Sequence, residues 1–353
     1  TARGDIPAAQ TTISVIGDAT YYAVYTVAPR ALTYTFTGMK GSDGTARANL
    51  TGTSRYGEAL SGSLIGTQRQ VLLDMLGSSY TTNGKTYRFV GWQVQLDGGK
   101  TIIWDPQSIV STLVFDEDIY GVTSGQVTIR AYYLQVNADS YLVQFKVDDT
   151  IRAAAVPANT TPSYATISGT NAETPTKSTL GAETGYDYTF QGWYAGWTET
   201  VDNTTLTGLI GSGQIPKATG DATYTACFGK KKAKGKVSFE YWQESTVTAG
   251  RYVYKAKQLK FEYGDDMKPE VDKLVKIGDT FVQDYKVYTF LGWSLRQSDT
   301  DPVYTDTLPT STATSDTLIT NQIYYGIYAT TAQTVNVSFY ADGQKVASID
   351  DVA

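Results

Sequence analysis

Tyr87-Arg88-Phe89-Val90-Gly91-Trp92 recurs as Tyr188-Thr189-Phe190-Gln191-Gly192-Trp193 and as Tyr288-Thr289-Phe290-Leu291-Gly292-Trp293. The three tryptophans stand 101 and 100 residues apart. Solenoid units repeat every 20–50 residues or so, so a period this long is that of a small domain. The motif itself has strand chemistry. Alternate residues of a strand share a face, which places Tyr87 beside Phe89. Gly91 has the same parity and no side chain, so it opens a bulge or admits a neighbouring strand closely. Trp92 then lies on the opposite face or is redirected by that bulge. One large aromatic anchor per unit suits a small core, because aromatic side chains bury the most area each.

Two further patterns keep the same phase. An opening run precedes the motif and carries Phe36, Phe145, Phe239 and Phe339, separated by 109, 94 and 100 residues. A closing run follows it and ends on Tyr25, Tyr133, Phe228 and Tyr328, separated by 108, 95 and 100. Three patterns in constant order divide the chain. Residues 1–30 hold the closing half of a repeat, 31–136 repeat domain A, 137–233 repeat domain B, 234–332 repeat domain C, and 333–353 the opening strand of a further repeat. The expected fold is mainly β (α+β).

Composition agrees with that reading. Tyr (27) outnumbers Phe (11) and Trp (6), and tyrosine and threonine favour pleated, half-buried surfaces. Period-2 segments dominate each unit. Tyr252–Tyr263 reads as a second strand of unit C. Short helices are expected at Gln68–Leu76, with Val71, Leu72, Met75 and Leu76 on one face, and at Pro269–Val275, where Pro269 suits a helix start. Thr160–Thr179 reads as loop or extended chain. Gly17-Asp18, Gly125 and Gly220-Asp221 mark turns before the closing strands.

Whole classes of function are disfavoured. A net charge of −6 argues against nucleic acid, whose phosphates need a basic partner. The run Lys230–Lys232, continued by Lys234 and Lys236, falls between repeats and reads as a solvated linker. No apolar stretch reaches the length of a membrane-crossing helix. Thr1 opens no signal peptide, and a start without methionine suggests a processed or excised segment. The single cysteine, Cys227, excludes an intramolecular disulfide and sits where a small buried hydrophobe is expected.

Enzyme chemistry finds few parts. With no histidine, triads, imidazole-ligated zinc and the commonest general base are gone. Asp116-Glu117-Asp118, Asp148-Asp149, Asp265-Asp266 and Asp350-Asp351 read as solvated loop charge. No cofactor is expected; paired acids of this kind could serve glycoside hydrolysis or calcium, but none follows EF-hand spacing. Arg3-Gly4-Asp5 is an integrin-type tripeptide of little weight. Trp104, Trp197 and Trp242 lack tryptophan counterparts in the other units and are the candidates for a contact surface. Lys146 and Lys236 lie near opening strands, and sequence assigns neither a partner for a side-chain crosslink.

The motif, its variable loop and Gly220-Asp221-Ala222-Thr223-Tyr224-Thr225-Ala226-Cys227-Phe228 together resemble the Listeria–Bacteroides repeat, also called the internalin B-repeat. Unit B matches best, with Tyr194 after its tryptophan; Gln93 and Ser294 depart from the pattern in units A and C, whose loops are also longer. The resemblance implies tandem β-grasp-like domains of about 100 residues, a small mixed sheet on a short helix, carried in arrays on bacterial surface proteins. The expected function is that of a structural or adhesive tandem-repeat segment at the extracellular bacterial cell surface. It would act as a stalk or filament subunit and not as an enzyme. Phe89, Trp92, Phe190, Trp193, Phe290, Trp293, Tyr25, Tyr133, Phe228 and Tyr328 mark the expected cores. Val335, Val337 and Phe339 mark an inter-subunit strand, with neighbouring repeats or further copies as head-to-tail partners. The alternative is an adhesin module whose loops bind glycans or host surface proteins.

Overall fold

The computed structural model describes residues 31–55, 58, 64, 66–95, 101–111, 125–177, 182–198, 201–202, 207–305, 312–319 and 321–352. The chain is mainly β. Unit A holds β1 (Ala31–Thr37), β2 (Leu50–Arg55), β3 (Ser79–Thr82), β4 (Lys85–Gln95), β5 (Thr101–Trp104) and β6 (Gln126–Val136). Unit B holds β7 (Ser140–Val147), β8 (Thr150–Pro157), β9 (Tyr186–Ala195), β10 (Val201–Asp202) and β11 (Ala222–Lys232). Unit C holds β12 (Lys234–Glu244), β13 (Tyr252–Glu262), β14 (Thr280–Gln283), β15 (Lys286–Ser294) and β16 (Ile323–Ala332). A last hairpin follows, β17 (Val335–Ala341) and β18 (Gln344–Val352).

One pairing scheme occurs three times. The opening strand pairs antiparallel with the strand after it: β1 with β2, β7 with β8, β12 with β13. It also pairs parallel with the closing strand: β1 with β6, β7 with β11, β12 with β16. The closing strand in turn pairs antiparallel with the strand bearing the motif: β6 with β4, β11 with β9, β16 with β15. A parallel pair needs a long crossover, and the helices lie along it.

Those helices are short. The first, α1 (Gly66–Leu73), buries Leu72 and continues as a turn that buries Met75; it starts and stops earlier than the sequence suggests. After α2 (Pro106–Ser111) comes α3 (Tyr164–Ser168), inside the stretch expected to be loop or extended chain. Ser163 caps it by accepting from Thr166 N–H, and Gly169 closes it in the left-handed conformation. A single capped turn has no hydrophobic period to read. Its Tyr164 ring covers Phe145 and Trp193 at 5.6 and 5.1 Å. In unit C, α4 (Lys268–Val271) has its proline in the first turn and is shorter than the expected segment. The last helix is α5 (Ser315–Ile319).

Each unit has its own aromatic core. The motif is bulged in all three. Phe89 faces Tyr133 and Gly91 faces Tyr132, so Val90 has no partner; Gln191 and Leu291 are passed over in the same way. The extra residue turns the tryptophan back to the phenylalanine's face. Trp92, Trp193 and Trp293 lie 5.1, 5.2 and 5.2 Å from Phe89, Phe190 and Phe290, and all three are buried. Opening phenylalanines complete the cluster at 5.0, 4.8 and 5.1 Å.

The sheets of units A and B are one. β5 meets β8 where Trp104 pairs with Thr150, and Asp105 N–H donates to Asp149 O at 2.8 Å. Unit C forms a separate five-stranded sheet. The Lys230–Lys232 run is not a linker: it is the end of β11, paired with Tyr186–Tyr188. Lys230 bonds Glu183 and lies 4.2 Å from the centroid of the Tyr186 ring. Only Ala233 separates β11 from β12.

Candidate functional site

The joint between units A and B carries the densest buried chemistry among the described residues. On β7, Val143, Phe145 and Val147 face the core of unit B. The alternate residues Leu142, Gln144 and Lys146 therefore face unit A. Opposite β6's core positions, Val136 joins Val90, Leu142 and Ile151 in a fourth apolar cluster, with Ile103, Tyr132, Leu134, Ala153 and Ala155 against it. Sheets apolar on both faces lose the hydrophobic–polar alternation. Ile151–Val156, apolar at both parities apart from Arg152, was the available signal for this joint.

Lys146 and Asp105 are each 1% exposed within that joint. Asp105 stands at the start of α2. Its Oδ1 accepts Gln107 N–H at 3.3 Å, and its Oδ2 accepts Ser108 Oγ–H at 3.0 Å. From unit B, Trp197 Nε1–H donates to the same Oδ2 at 2.8 Å, and Lys146 Nζ lies 3.4 Å from it. Lys146 Nζ also donates to Asp148 O at 2.5 Å. Asp148, in the β7–β8 turn at φ 51°, directs its carboxylate to Lys177 Nζ at 2.9 Å. Lys177 in turn sits near the Tyr188 and Phe228 rings at 5.0 and 5.4 Å. Beside this cluster lies a cleft of about 240 Å³ lined by Arg88, Gln107, Gln144, Trp197 and Asp221 among others. Arg88 pairs with Asp221 at 2.8 Å, and Asp221 also accepts Leu142 N–H at 2.9 Å.

These contacts revise several sequence expectations. Asp148 is buried and paired, not solvated loop charge. Trp104 is a core residue, 1% exposed, and cannot offer a contact surface. Trp197 is 37% exposed, but its indole N–H is committed to Asp105. Asp265 and Asp266 accept backbone N–H groups of Glu262 and Lys268 and so hold their own turn. Among the described residues no group of three or more His, Cys, Asp or Glu is placed to hold a metal ion. Arg3-Gly4-Asp5, Gly17-Asp18, Tyr25 and Asp116-Glu117-Asp118 lie outside the described residues. Cys227 is fully buried, and burial pushes its thiol pKa up, away from reactive thiolate character.

Unit C offers the other candidate surface. Trp242 is half-buried beside a stack of Tyr252 on Phe281 (4.0 Å) and Phe281 on Tyr288 (4.9 Å). A groove of about 340 Å³ runs past Trp242, Glu244, Tyr252, Asp279, Phe281 and Tyr328. Most of these ring faces are turned on one another.

The remaining core markers fall as follows. Phe89, Phe228 and Phe290 are buried; Phe190, Tyr133 and Tyr328 are half-buried against their cores. Val335 and Phe339 are about half exposed and Val337 is intermediate. No helix of the described residues is long and apolar enough to cross a membrane. No family model matches the chain, and a search of curated proteins returns no matching relative.

Proposed function

We propose that the chain is a structural tandem-repeat segment of a bacterial extracellular surface protein, serving as stalk or filament subunit. One observation carries this reading. Each closing strand runs into the next opening strand after very few residues: 137–139, then Ala233 alone, then 333–334. Short connections between strands that each pair with other strands limit swivelling and turn a row of small folds into a spacer. The motif resemblance to the Listeria–Bacteroides repeat supports a β-grasp-like unit and a surface location.

The β17–β18 hairpin extends the argument. In its three counterparts the opening strand carries a parallel closing strand on its other edge. Among the described residues β17 pairs antiparallel with β18, and Phe339, Tyr340, Val346 and Ile349 are exposed. The repeat pattern supports pairing of this opening strand with a closing strand of a neighbouring repeat, in the same protein or in a second molecule; Tyr21–Tyr25 has the matching sequence pattern.

Distance distributions between probes placed on units A and C test the spacer reading. The native chain should give one narrow distribution, broadened by a Gly/Ser insertion after Ala233. A broad distribution in the native chain would refute it. The second reading, glycan recognition at the Trp242 groove, predicts glycan binding that Trp242→Ala abolishes.

A further inference from the structure

The geometry points to an intramolecular amide bond between Lys146 Nζ and Asp105 Cγ, a covalent staple joining units A and B. It goes beyond the spacer reading and does not depend on it.

The two groups are held from independent directions. Lys146 is on β7, flanked by Phe145 and Val147 of the core. Asp105 follows β5, with its backbone N–H fixed to Asp149 O at 2.8 Å. Both side chains are 1% exposed and 3.4 Å apart. Such positioning replaces an encounter by a unimolecular step, and water is largely excluded from the product.

The reaction balances without a further reactant. An ammonium and a carboxylate give one amide and one water. Lys146 first passes a proton to the carboxylate, forming the amine and the acid. The amine lone pair then adds to Cγ, and the developing oxyanion on Oδ2 meets two donors already in place, Trp197 Nε1–H at 2.8 Å and Ser108 Oγ–H at 3.0 Å. Oδ1 departs as water, taking the second proton lost by the nitrogen. The remaining amide N–H keeps Asp148 O, 2.5 Å from Nζ, as its acceptor. Two buried charges are thereby exchanged for a neutral, hydrogen-bonded group, and the desolvation cost of the ion pair disappears. Lys146 has no lysine counterpart beside Phe36, Phe239 or Phe339, where Thr37, Glu240 and Tyr340 stand. The staple belongs to this joint and is not a general property of the repeat.

Mass spectrometry of the purified folded chain tests it. The intact mass should fall below the sequence mass by one water. Tryptic digestion should yield a branched species joining 101–130 to 131–152, uncut at Lys146. Lys146→Arg and Asp105→Ala chains should each show the full mass and no branched peptide. A native chain of full mass overturns the proposal. So does a chain lighter by one water that releases a linear 131–146 peptide. Both outcomes are read on the unmutated protein, so failure of a variant to fold leaves the test intact.

Discussion

At the scale of single residues, the glycine of the motif is fixed by what approaches it. A Cβ on Gly91 would stand 2.3 Å from Trp104 O, and one on Gly292 would stand 2.3 Å from Tyr304 O. Gly292 also sits at φ 147°. The obstacle is backbone in each case, so relief requires moving a strand. Gly292→Ala should therefore destabilise unit C by at least about 1–3 kcal/mol, the usual cost of overpacking, read as a lower denaturant midpoint. An unchanged midpoint would contradict the close approach. The closing tyrosines make a second case. Tyr328 Oη accepts Trp242 N–H at 3.2 Å, and Tyr133 Oη accepts Lys40 N–H at 2.9 Å. Unit B, with Phe228, has no such bond. Burial, first of all, pushes the Tyr328 hydroxyl well above its usual value of 10.0. Burial, with repulsion from Glu240 and Tyr325, pushes Tyr254 up to about 12. Folded pKa values above the unfolded ones mean that the neutral phenols favour the fold. That contribution is whole below pH 10; Tyr254's share is lost as pH rises through about 12, and Tyr328's share persists further up. Absorbance titration should show tyrosinate from unit C lagging behind exposed tyrosines and appearing together with unfolding. Tyr254 and Tyr328 ionising at pH 10 in folded protein would exclude this.

At the scale of elements, the three aromatic patterns were legible because strands with one buried face write their parity into the sequence. The opening, motif and closing strands all lie where those patterns put them among the described residues. The bulge was legible only as one of two alternatives. Gly91 permits it, but pairing with β6 decides it by leaving Val90 without a partner. Helix α3 was illegible for a different reason. Five residues held by Ser163 and Gly169 make too little of a turn for periodicity, and only Tyr164 and Ile167 reach the core. The cap was the readable part. Ser163→Ala should cost about 0.5–2 kcal/mol, measured as a lower midpoint for the transition that includes unit B, and Ser163→Thr, which keeps both the cap and the bond to Glu173, should restore most of it. Equal stability of all three chains would show that packing of Tyr164 alone holds the turn.

At the scale of the whole molecule, the sequence repeats but the joints do not. Sequence periodicity implies equivalent, separable units, and it is blind to contacts that exist at one joint only. Lys146, Asp105 and Trp197 make such contacts, and nothing in their spacing announces that they meet. Units A and B share a sheet and an apolar cluster, whereas units B and C meet through Ala233 and the Tyr186–Tyr263 ring contact at 5.4 Å. Unfolding should follow these boundaries. Exposing Val90, Val136, Leu142 and Ile151 has a cost for whichever of A or B remains folded, so the pair should melt in one transition and C in another. Replacing Trp193 or Trp293 by alanine should remove about 3–5 kcal/mol from its own core. For Trp293 the loss falls on roughly 100 residues, and the midpoint should drop by about 4–8 °C per kcal/mol. For Trp193 it is spread over A and B together, and the drop should be about 2–4 °C per kcal/mol. Calorimetry of the two variants distinguishes the cases. Trp193→Ala should move the common A–B transition and leave C in place, while Trp293→Ala should do the reverse. Three native transitions, with Trp193→Ala shifting only one of them, would mean that the joint transmits no stability and that the units behave as independent beads.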